Sequence, residues 1–182
     1  MKTGLLLVDI QNDYFPGGRM ALVGVNEAAA RAGELLAAFR RRGWPTYHIQ
    51  HVSLRQGAPF FAPGTPGVEI HELIAPEPGE AVIEKHFPNS FRETGLQERL
   101  AADQVGELVI CGAMSHMCID ASTRAAVDYG FPCTVIHDAC ATRDLMFGDT
   151  VIPASQVHAA FMAALASFYA RVVSLAEFLH SL

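Results

Sequence analysis

The sequence predicts a single α/β domain spanning residues 1–182, with a parallel sheet covered by helices on both faces. The first observation is that short apolar runs alternate along the chain with segments whose apolar residues recur at helical spacing. The second is the composition: 182 residues that are 51% hydrophobic and 18% charged can bury one sizeable core. Neither an internal repeat nor a linker interrupts the pattern, so one three-layer α/β/α unit is expected.

Six segments carry the strand pattern, and their predicted bounds are 4–10, 46–52, 81–85, 108–111, 133–137 and 171–173. The first reads GLLLVDI, a near-continuous apolar run typical of a central parallel strand buried on both faces. Asp9 interrupts the end of that run. A buried carboxylate is costly unless it is paired or used, so Asp9 is either a site residue or a loop cap.

Helix signals lie between these strands. Asn26 is the expected N-cap of a helix that ends at Gly43, and the Thr94–Gln97 and Ser174–Glu177 pairs resemble capping boxes of two later helices. Apolar spacing predicts two more helices, over residues 118–129 and 155–169.

Two connections are expected to be irregular. Residues 53–80 contain five prolines and form either a lid or a packed surface loop, and residues 138–149 form an acidic loop.

The stretch LVICGAMSHMCIDASTRAAVDYG, residues 108–130, predicts a strand, a tight turn and a helix, with Cys118 near the first helical residue. The positive end of a helix favours a thiolate, so this position is expected to lower the thiol pKa. Unpaired N–H groups at a helix start can also hold a developing oxyanion. Cys118 is therefore either a nucleophile or, as for most free cysteines, a small buried hydrophobe.

Asp9, Lys85 and Cys118 each follow a predicted strand. The carboxyl ends of parallel strands lie along one edge of a sheet, where ligands of such folds bind. A lysine alone is usually a surface residue. An acid, an amine and a thiol at one edge are more specific than any one of them, and together they predict acyl-transfer chemistry.

Composition argues against several classes of protein. The net charge of −6 and the lack of a basic patch beyond residues 40–42 argue against a nucleic-acid partner. The N-terminus meets an aspartate too early for a signal peptide, and no apolar run reaches membrane-spanning length. A cytoplasmic protein without a membrane partner is expected. His48 and His51 lie three residues apart on a strand and point to opposite faces, so no metal and no cofactor is predicted.

Three motifs in register resemble the isochorismatase-like cysteine hydrolases, which include nicotinamidases and related amidases. They are LLLVDIQNDYF around Asp9, VIEKHFPNSF around Lys85, and VICGAMSHMCIDASTRAAVDYGF around Cys118, followed by VIHDACAT. The resemblance implies a six-stranded parallel sheet in the order 3-2-1-4-5-6 and a catalytic triad of these three residues. It also implies a cis peptide between Ala113 and Met114, with the N–H groups of Met114 and Cys118 holding an oxyanion.

The resemblance further implies cleavage of a C–N bond, in a small amide or imide, through a thioester on Cys118. The alternatives are a non-catalytic small-molecule-binding protein of the same fold and a metal-assisted nicotinamidase. Metal-using nicotinamidases carry an Asp-x-His pair after the second strand, which the stretch from His48 to Ser53 lacks. Members that cleave the vinyl ether of isochorismate lack the cysteine. A nucleotide-binding oxidoreductase would need a glycine-rich turn after the first strand, and none is present.

Substrate contacts are predicted for a set of residues close to the three motifs, namely Gln11, Phe15, Phe87, Phe91 and Ser115. The aromatic members suggest a small, partly apolar substrate as the partner molecule. A homo-oligomer, either a dimer or a tetramer, is also expected from the family resemblance.

Overall fold

The computed structural model describes residues 1–182 and alternates strands with helices, as the sequence predicts. The strands are β1 (Lys2–Val8), β2 (Thr46–His51), β3 (Ala81–Lys85), β4 (Val105–Ala113), β5 (Cys133–Ala141), β6 (Leu145–Phe147), β7 (Thr150–Ile152) and β8 (Arg171–Val173). The α-helices are α1 (Val25–Arg42), α2 (Leu96–Ala102), α3 (Asp120–Asp128), α4 (Ala154–Phe168) and α5 (Leu175–His180).

Six of the strands form one parallel sheet in the order β3-β2-β1-β4-β5-β8. This confirms the three-layer fold and the strand order implied by the family resemblance. The sixth strand of the sheet is β8 in chain order, because a short hairpin of β6 and β7 precedes it.

The central position of β1 explains its sequence. Leu5, Leu6, Leu7 and Val8 are all buried because β1 has a neighbouring strand on each side and helices above and below. Right-handed crossovers place α1 on one face of the sheet and α2, α3 and α4 on the opposite face. The last helix, α5, packs beside α1, with the rings of Phe178 and Phe39 stacked. One cluster of 45 buried side chains joins the sheet to both helix layers, so the apolar core is continuous.

Two helix starts differ from their predicted caps. The first residue of α1 is Val25, and its N-cap is Gly24, not Asn26. The left-handed backbone of Gly24, with φ of 70°, turns the chain into the helix two residues earlier than a cap at Asn26 would. The predicted box at Thr94 is also wrong, because its hydroxyl donates to the Ser90 carbonyl and Gly95 is the N-cap of α2. The box of Ser174 with Glu177 is confirmed.

The segment after residue 138 is more regular than predicted. β5 continues to Ala141, and β6 and β7 pair as an antiparallel hairpin around Gly148. Each of these two strands has only three residues, too few for an alternating pattern to be visible in the sequence. Asp138 and Asp144 do fill cap roles, accepting hydrogen bonds from the backbone N–H groups that open α5 and α4, at 2.8 and 2.7 Å.

The switch point of the sheet lies between β1 and β4, whose following helices cover opposite faces. Gly112 allows the two strands to approach there, with a φ of 125° and no side chain. A Cβ atom at this position would collide with the backbone of Val8. The ends of β1 and β4 consequently meet closely, and Asp9 and Met114 follow them directly.

Among the helices, none has both the length and the apolar character needed to cross a membrane.

Candidate active site

Asp9, Lys85 and Cys118 lie side by side at the switch point. The Nζ atom of Lys85 is 2.8 Å from Oδ2 of Asp9 and 3.3 Å from Sγ of Cys118. Asp9 and Lys85 are fully buried, and Cys118 is only 4% exposed. The three residues predicted from separate strand ends therefore form one contiguous, water-poor cluster.

Lys85 reaches this cluster although β3 is the edge strand. In the register of the sheet Lys85 pairs with His51 on β2, and its long side chain extends past that strand to β1. The ammonium group also donates to the Phe87 carbonyl, at 3.1 Å, and to Nδ1 of His51, at 3.0 Å. The long side chain of Lys85 thus meets the carboxylate of Asp9 although β2 lies between their strands.

The turn after β1 fixes the Asp9 carboxylate. Asp9 adopts a left-handed conformation, with φ of 52°, which aspartate tolerates better than most residues. Its N–H donates to the Ile49 carbonyl at 3.1 Å, and its carbonyl accepts from the Gln11 N–H at 3.0 Å. One carboxylate oxygen, Oδ2, is bonded to Lys85, whereas the buried Oδ1 has no hydrogen-bond partner.

Cys118 does not lie at the start of an α-helix, as the sequence had indicated. It belongs to a π-helical turn, Ser115–Ile119, and α3 begins two residues later. The Met114 carbonyl accepts from the N–H groups of both Met117 and Ile119, at 3.0 and 3.3 Å, which closes this wide turn. The peptide bond between Ala113 and Met114 is cis.

The expected lowering of the Cys118 pKa is also wrong. Burial raises the pKa of this thiol, and the negative charge of Asp9 raises it further. The Lys85 ammonium opposes both effects but does not outweigh them. Burial alone would lower the pKa of Lys85, yet the net shift is upward because Asp9, and Cys118 whenever it is ionised, stabilise the ammonium. The resting site therefore holds a protonated thiol beside a charged lysine.

A match to a protein-family model shows which family the chain belongs to. The model of the isochorismatase domain matches residues 3–177. The chain belongs to the isochorismatase family. An uncharacterised isochorismatase-family protein, YddQ of Bacillus subtilis, is 52% identical over 179 residues, which are 98% of this chain and 99% of that protein.

The chain is also similar to a solved structure and to an enzyme of named activity. The crystal structure of an isochorismatase hydrolase from Oleispira antarctica has a TM-score of 0.95 and 51% identity, covering 98% of this chain and 96% of that one. A maleamate amidohydrolase from Pseudomonas putida is 30% identical over 159 residues, 78% of this chain and 73% of that protein. The chain is accordingly an isochorismatase-family hydrolase.

His51 contacts this cluster through Lys85, a contact that the sequence alone did not identify. Burial lowers its pKa to about 4, and the positive charges of Lys85 and His86 also lower it, against an opposing effect of Asp9. The imidazole is therefore neutral near pH 7. Because Lys85 can only donate, Nδ1 of His51 must be the acceptor and Nε2 must carry the proton. His48 points elsewhere, to Glu80 at 3.0 Å, as strand periodicity predicts.

The donor set of the hydrolase site also resembles a metal site in part. Asp9, His51 and Cys118 offer an oxygen, a nitrogen and a sulfur atom that all lie within 4.8 Å of one another. Zinc binds such ligands in proteins. The Lys85 ammonium, however, is within hydrogen-bonding distance of all three residues. A cation already fills this position, so the residues do not fit a metal unless Lys85 moves away.

Two of the predicted substrate contacts have polar groups that are used inside the protein. The buried Gln11 donates from Nε2 to the carbonyls of His51 and Val68, at 2.9 and 2.7 Å, and its Oε1 accepts from the His51 N–H at 2.8 Å. The buried Ser115 hydroxyl lies 2.8 Å from Nδ1 of His158. The structure gives both residues supporting roles, and their contact with a substrate stays a prediction.

The three predicted aromatic contacts lie in different surroundings. Phe15 is buried and stacks on His71, with ring centroids 3.6 Å apart. The Arg92 guanidinium lies 3.6 Å from the centroid of the Phe87 ring. Phe91 packs on the rings of Tyr129 and Phe131, at 5.2 and 6.4 Å. The Phe87 carbonyl accepts a hydrogen bond from Lys85. The role of all three in substrate binding stays a prediction.

Tyr14 is a second residue near the triad that the sequence did not single out. Burial raises its pKa well above the ordinary value, and Asp9 and a Cys118 thiolate raise it further, so the phenol remains neutral. Asp9 and Tyr14 adjoin a small cavity of about 10 Å³ that is otherwise lined by apolar residues and Gly112. Cys118 does not line this cavity, so the cavity alone would not bring a ligand to the sulfur.

Proposed function

We propose that this hydrolase cleaves the C–N bond of a small amide or imide through a thioester on Cys118. The observation that carries the proposal is the position of Lys85, whose ammonium contacts both Oδ2 of Asp9 and Sγ of Cys118 while Oδ1 of Asp9 is left without a partner. The named activity of the maleamate amidohydrolase relative supports an amide as the bond type.

The first step of the proposed reaction activates the nucleophile. The thiol is protonated at rest, because burial and Asp9 raise its pKa. The unpartnered Oδ1 of Asp9 accepts the thiol proton as the sulfur attacks the substrate. The Lys85 ammonium, 3.3 Å from the sulfur, then faces the developing thiolate. Attraction between these charges is strong because the site excludes water.

Attack forms a bond between Sγ of Cys118 and the carbonyl carbon, and the π electrons move to the carbonyl oxygen. The Met114 N–H makes no hydrogen bond within the protein and is free to bind this oxyanion, with the Cys118 N–H as the second donor. One such donor contributes about 3 kcal/mol in other enzymes. Collapse of the intermediate breaks the C–N bond, and Asp9 gives its proton to the leaving nitrogen.

The second half of the reaction restores the enzyme. Asp9, again a carboxylate, takes a proton from a water molecule whose oxygen attacks the thioester carbon. The C–S bond breaks, the carboxylic acid leaves, and the sulfur recovers its proton from Asp9. One base thus serves both halves, while Lys85 keeps its charge throughout and stabilises whichever of Asp9 and Cys118 is anionic.

A panel of small primary amides, including maleamate, tests the bond type. We expect the purified protein to release ammonia and the matching carboxylic acid in equal amounts from at least one amide. Isochorismate, whose scissile bond is a vinyl ether, should be left intact, because that bond offers no acyl carbon to the sulfur. Ammonia would be followed by a coupled enzymatic assay and the acid by chromatography. Cleavage of isochorismate with every amide untouched would overturn the proposal.

A further inference from the structure

We propose that His51 is a positioning residue that holds one N–H of Lys85 until the Cys118 thiolate forms. The inference rests on the function proposed above and adds a residue to its machinery. His51 would act through Lys85 and not on the substrate. The same N–H of the ammonium group would donate to the imidazole in the resting enzyme and to the sulfur once the thiolate has formed.

Lys85 is surrounded by more hydrogen-bond acceptors than it has N–H groups to donate. A lysine ammonium has three N–H donors, yet Lys85 has four acceptors. The Nζ atom lies 2.8 Å from Asp9, 3.0 Å from His51, 3.1 Å from the Phe87 carbonyl and 3.3 Å from Cys118. In the resting enzyme the Asp9 carboxylate and the Phe87 carbonyl each accept one N–H, and Oδ2 of Asp9 can still accept after Oδ1 has taken the thiol proton. One N–H therefore remains for two acceptors, the imidazole of His51 and the sulfur of Cys118.

Which of these two acceptors binds the third N–H depends on the protonation state of Cys118. A neutral thiol is a weak acceptor, so in the resting enzyme the third N–H belongs to Nδ1 of His51, the shorter of the two contacts. A thiolate is an anion, and hydrogen bonds to ionised acceptors are about twice as strong as neutral ones. When the thiol loses its proton, the N–H turns to the sulfur. A rotation of the ammonium group is sufficient, since both acceptors lie within 3.3 Å of Nζ.

The protein holds His51 firmly enough for this role. The side chain of Gln11 makes two hydrogen bonds to the backbone of His51. Its Oε1 accepts from the His51 N–H at 2.8 Å, and its Nε2 donates to the His51 carbonyl at 2.9 Å. The imidazole ring is also packed near Phe61, with centroids 5.8 Å apart. The buried amide of Gln11 thus holds the backbone of His51 in place, and with it the position of the imidazole beside Lys85.

Several ionisable groups face the His51–Cys118 pair and must be considered in any titration. They are Asp9 at the end of β1, Tyr14 in the following turn, and Lys85 and His86 at the end of β3. Of these, only Lys85 makes a hydrogen bond to both the imidazole and the sulfur. A change at His51 therefore reaches the thiol chiefly through Lys85.

Two nearly isosteric variants separate the acceptor from the bulk of the side chain. His51→Asn keeps an acceptor oxygen close to the position of Nδ1, whereas His51→Leu has none. The Cys118 thiolate would be titrated by its ultraviolet absorbance, with Cys118→Ser in each background as the blank. We expect the Leu variant to lower the apparent pKa of the thiol, giving about tenfold more thiolate at a given pH, because the third N–H is left to the sulfur alone. The Asn variant should titrate like the wild type.

The result that overturns the proposal is a Leu variant whose titration equals that of the wild type, or an Asn variant shifted as far as the Leu variant. The greater apolarity of leucine would by itself raise the thiol pKa, so it cannot produce the expected fall. If the Leu variant lacks a cooperative thermal transition, His51→Met replaces it. Because the readout is a titration, the experiment stands even if no amide is hydrolysed, and a failure of the proposed reaction stays distinguishable from a failure of this inference.

Discussion

The variant Cys118→Ala is expected to lose at least about 10⁴-fold in kcat/KM on the amide that the wild type hydrolyses. Removing the nucleophile of a triad costs this much or more in other enzymes, because the remaining groups cannot form the covalent intermediate. Here the loss should be nearly complete, because Asp9 and Lys85 are buried and would have no sulfur to act upon. The measurement is steady-state release of the carboxylic acid at matched protein concentrations.

Cys133→Ala provides the control for this variant. Cys133 is also a buried, unpaired cysteine, but it lies at the start of β5, at the opposite end of the sheet from the triad. Its replacement should leave kcat/KM within about twofold once folding is confirmed by circular dichroism, as for mutations remote from a site. A Cys118→Ala enzyme that keeps a tenth or more of the wild-type activity would exclude this sulfur as the nucleophile.

The second large effect is expected for the stability of Lys85→Met. The ammonium is the partner of a carboxylate that is itself fully buried. Removing one member of a buried ion pair leaves an uncompensated charge and costs about 3–5 kcal/mol of the free energy of unfolding. Methionine keeps most of the volume, so little of the loss would come from a cavity. Urea unfolding at pH 7 would measure the difference from the wild type.

The loss should depend on pH in a defined direction. Without Lys85, burial favours the neutral form of the Asp9 side chain, so the ionised carboxylate in the folded variant carries the full cost of desolvation. This penalty is smallest at acid pH, where the carboxyl group is protonated, and it grows as the pH rises and the group ionises. Adding Asp9→Asn to Lys85→Met should recover most of the stability at pH 7. A single variant that is equally unstable at pH 4 and pH 7 would contradict this explanation.

Much of the architecture follows from local patterns. The apolar run from Leu5 to Val8 predicts a central strand, and the glycine-bounded apolar segments between the strands predict helices. The edge of the sheet that carries Asp9, Lys85 and Cys118 follows from the rule for parallel strands. These features were predictable because each depends on residues close in sequence, or on a topological rule that holds for the whole fold class.

The properties of the site were less predictable, because they depend on contacts between distant segments. The pKa of Cys118 was expected to fall from its place near a helix start, whereas burial by the whole core raises it. His51 was considered only as a metal ligand, because its pairing with Lys85 requires the register of β2 and β3. The contact of Lys85 with Asp9, whose strands are separated by β2, depends on side-chain length, which strand periodicity does not encode.

The formation of a thioester on Cys118 is tested most directly by an acid-quench experiment within the first turnover. Enzyme and a hydrolysed amide would be mixed, quenched at intervals and digested, and the Cys118 peptide weighed by mass spectrometry alongside assays of ammonia and acid. Covalent catalysis predicts ammonia before the carboxylic acid, with an acyl group on Cys118 that rises and then disappears. Ammonia and acid that appear together, with Cys118 unmodified at every time point, would show that water attacks the substrate directly.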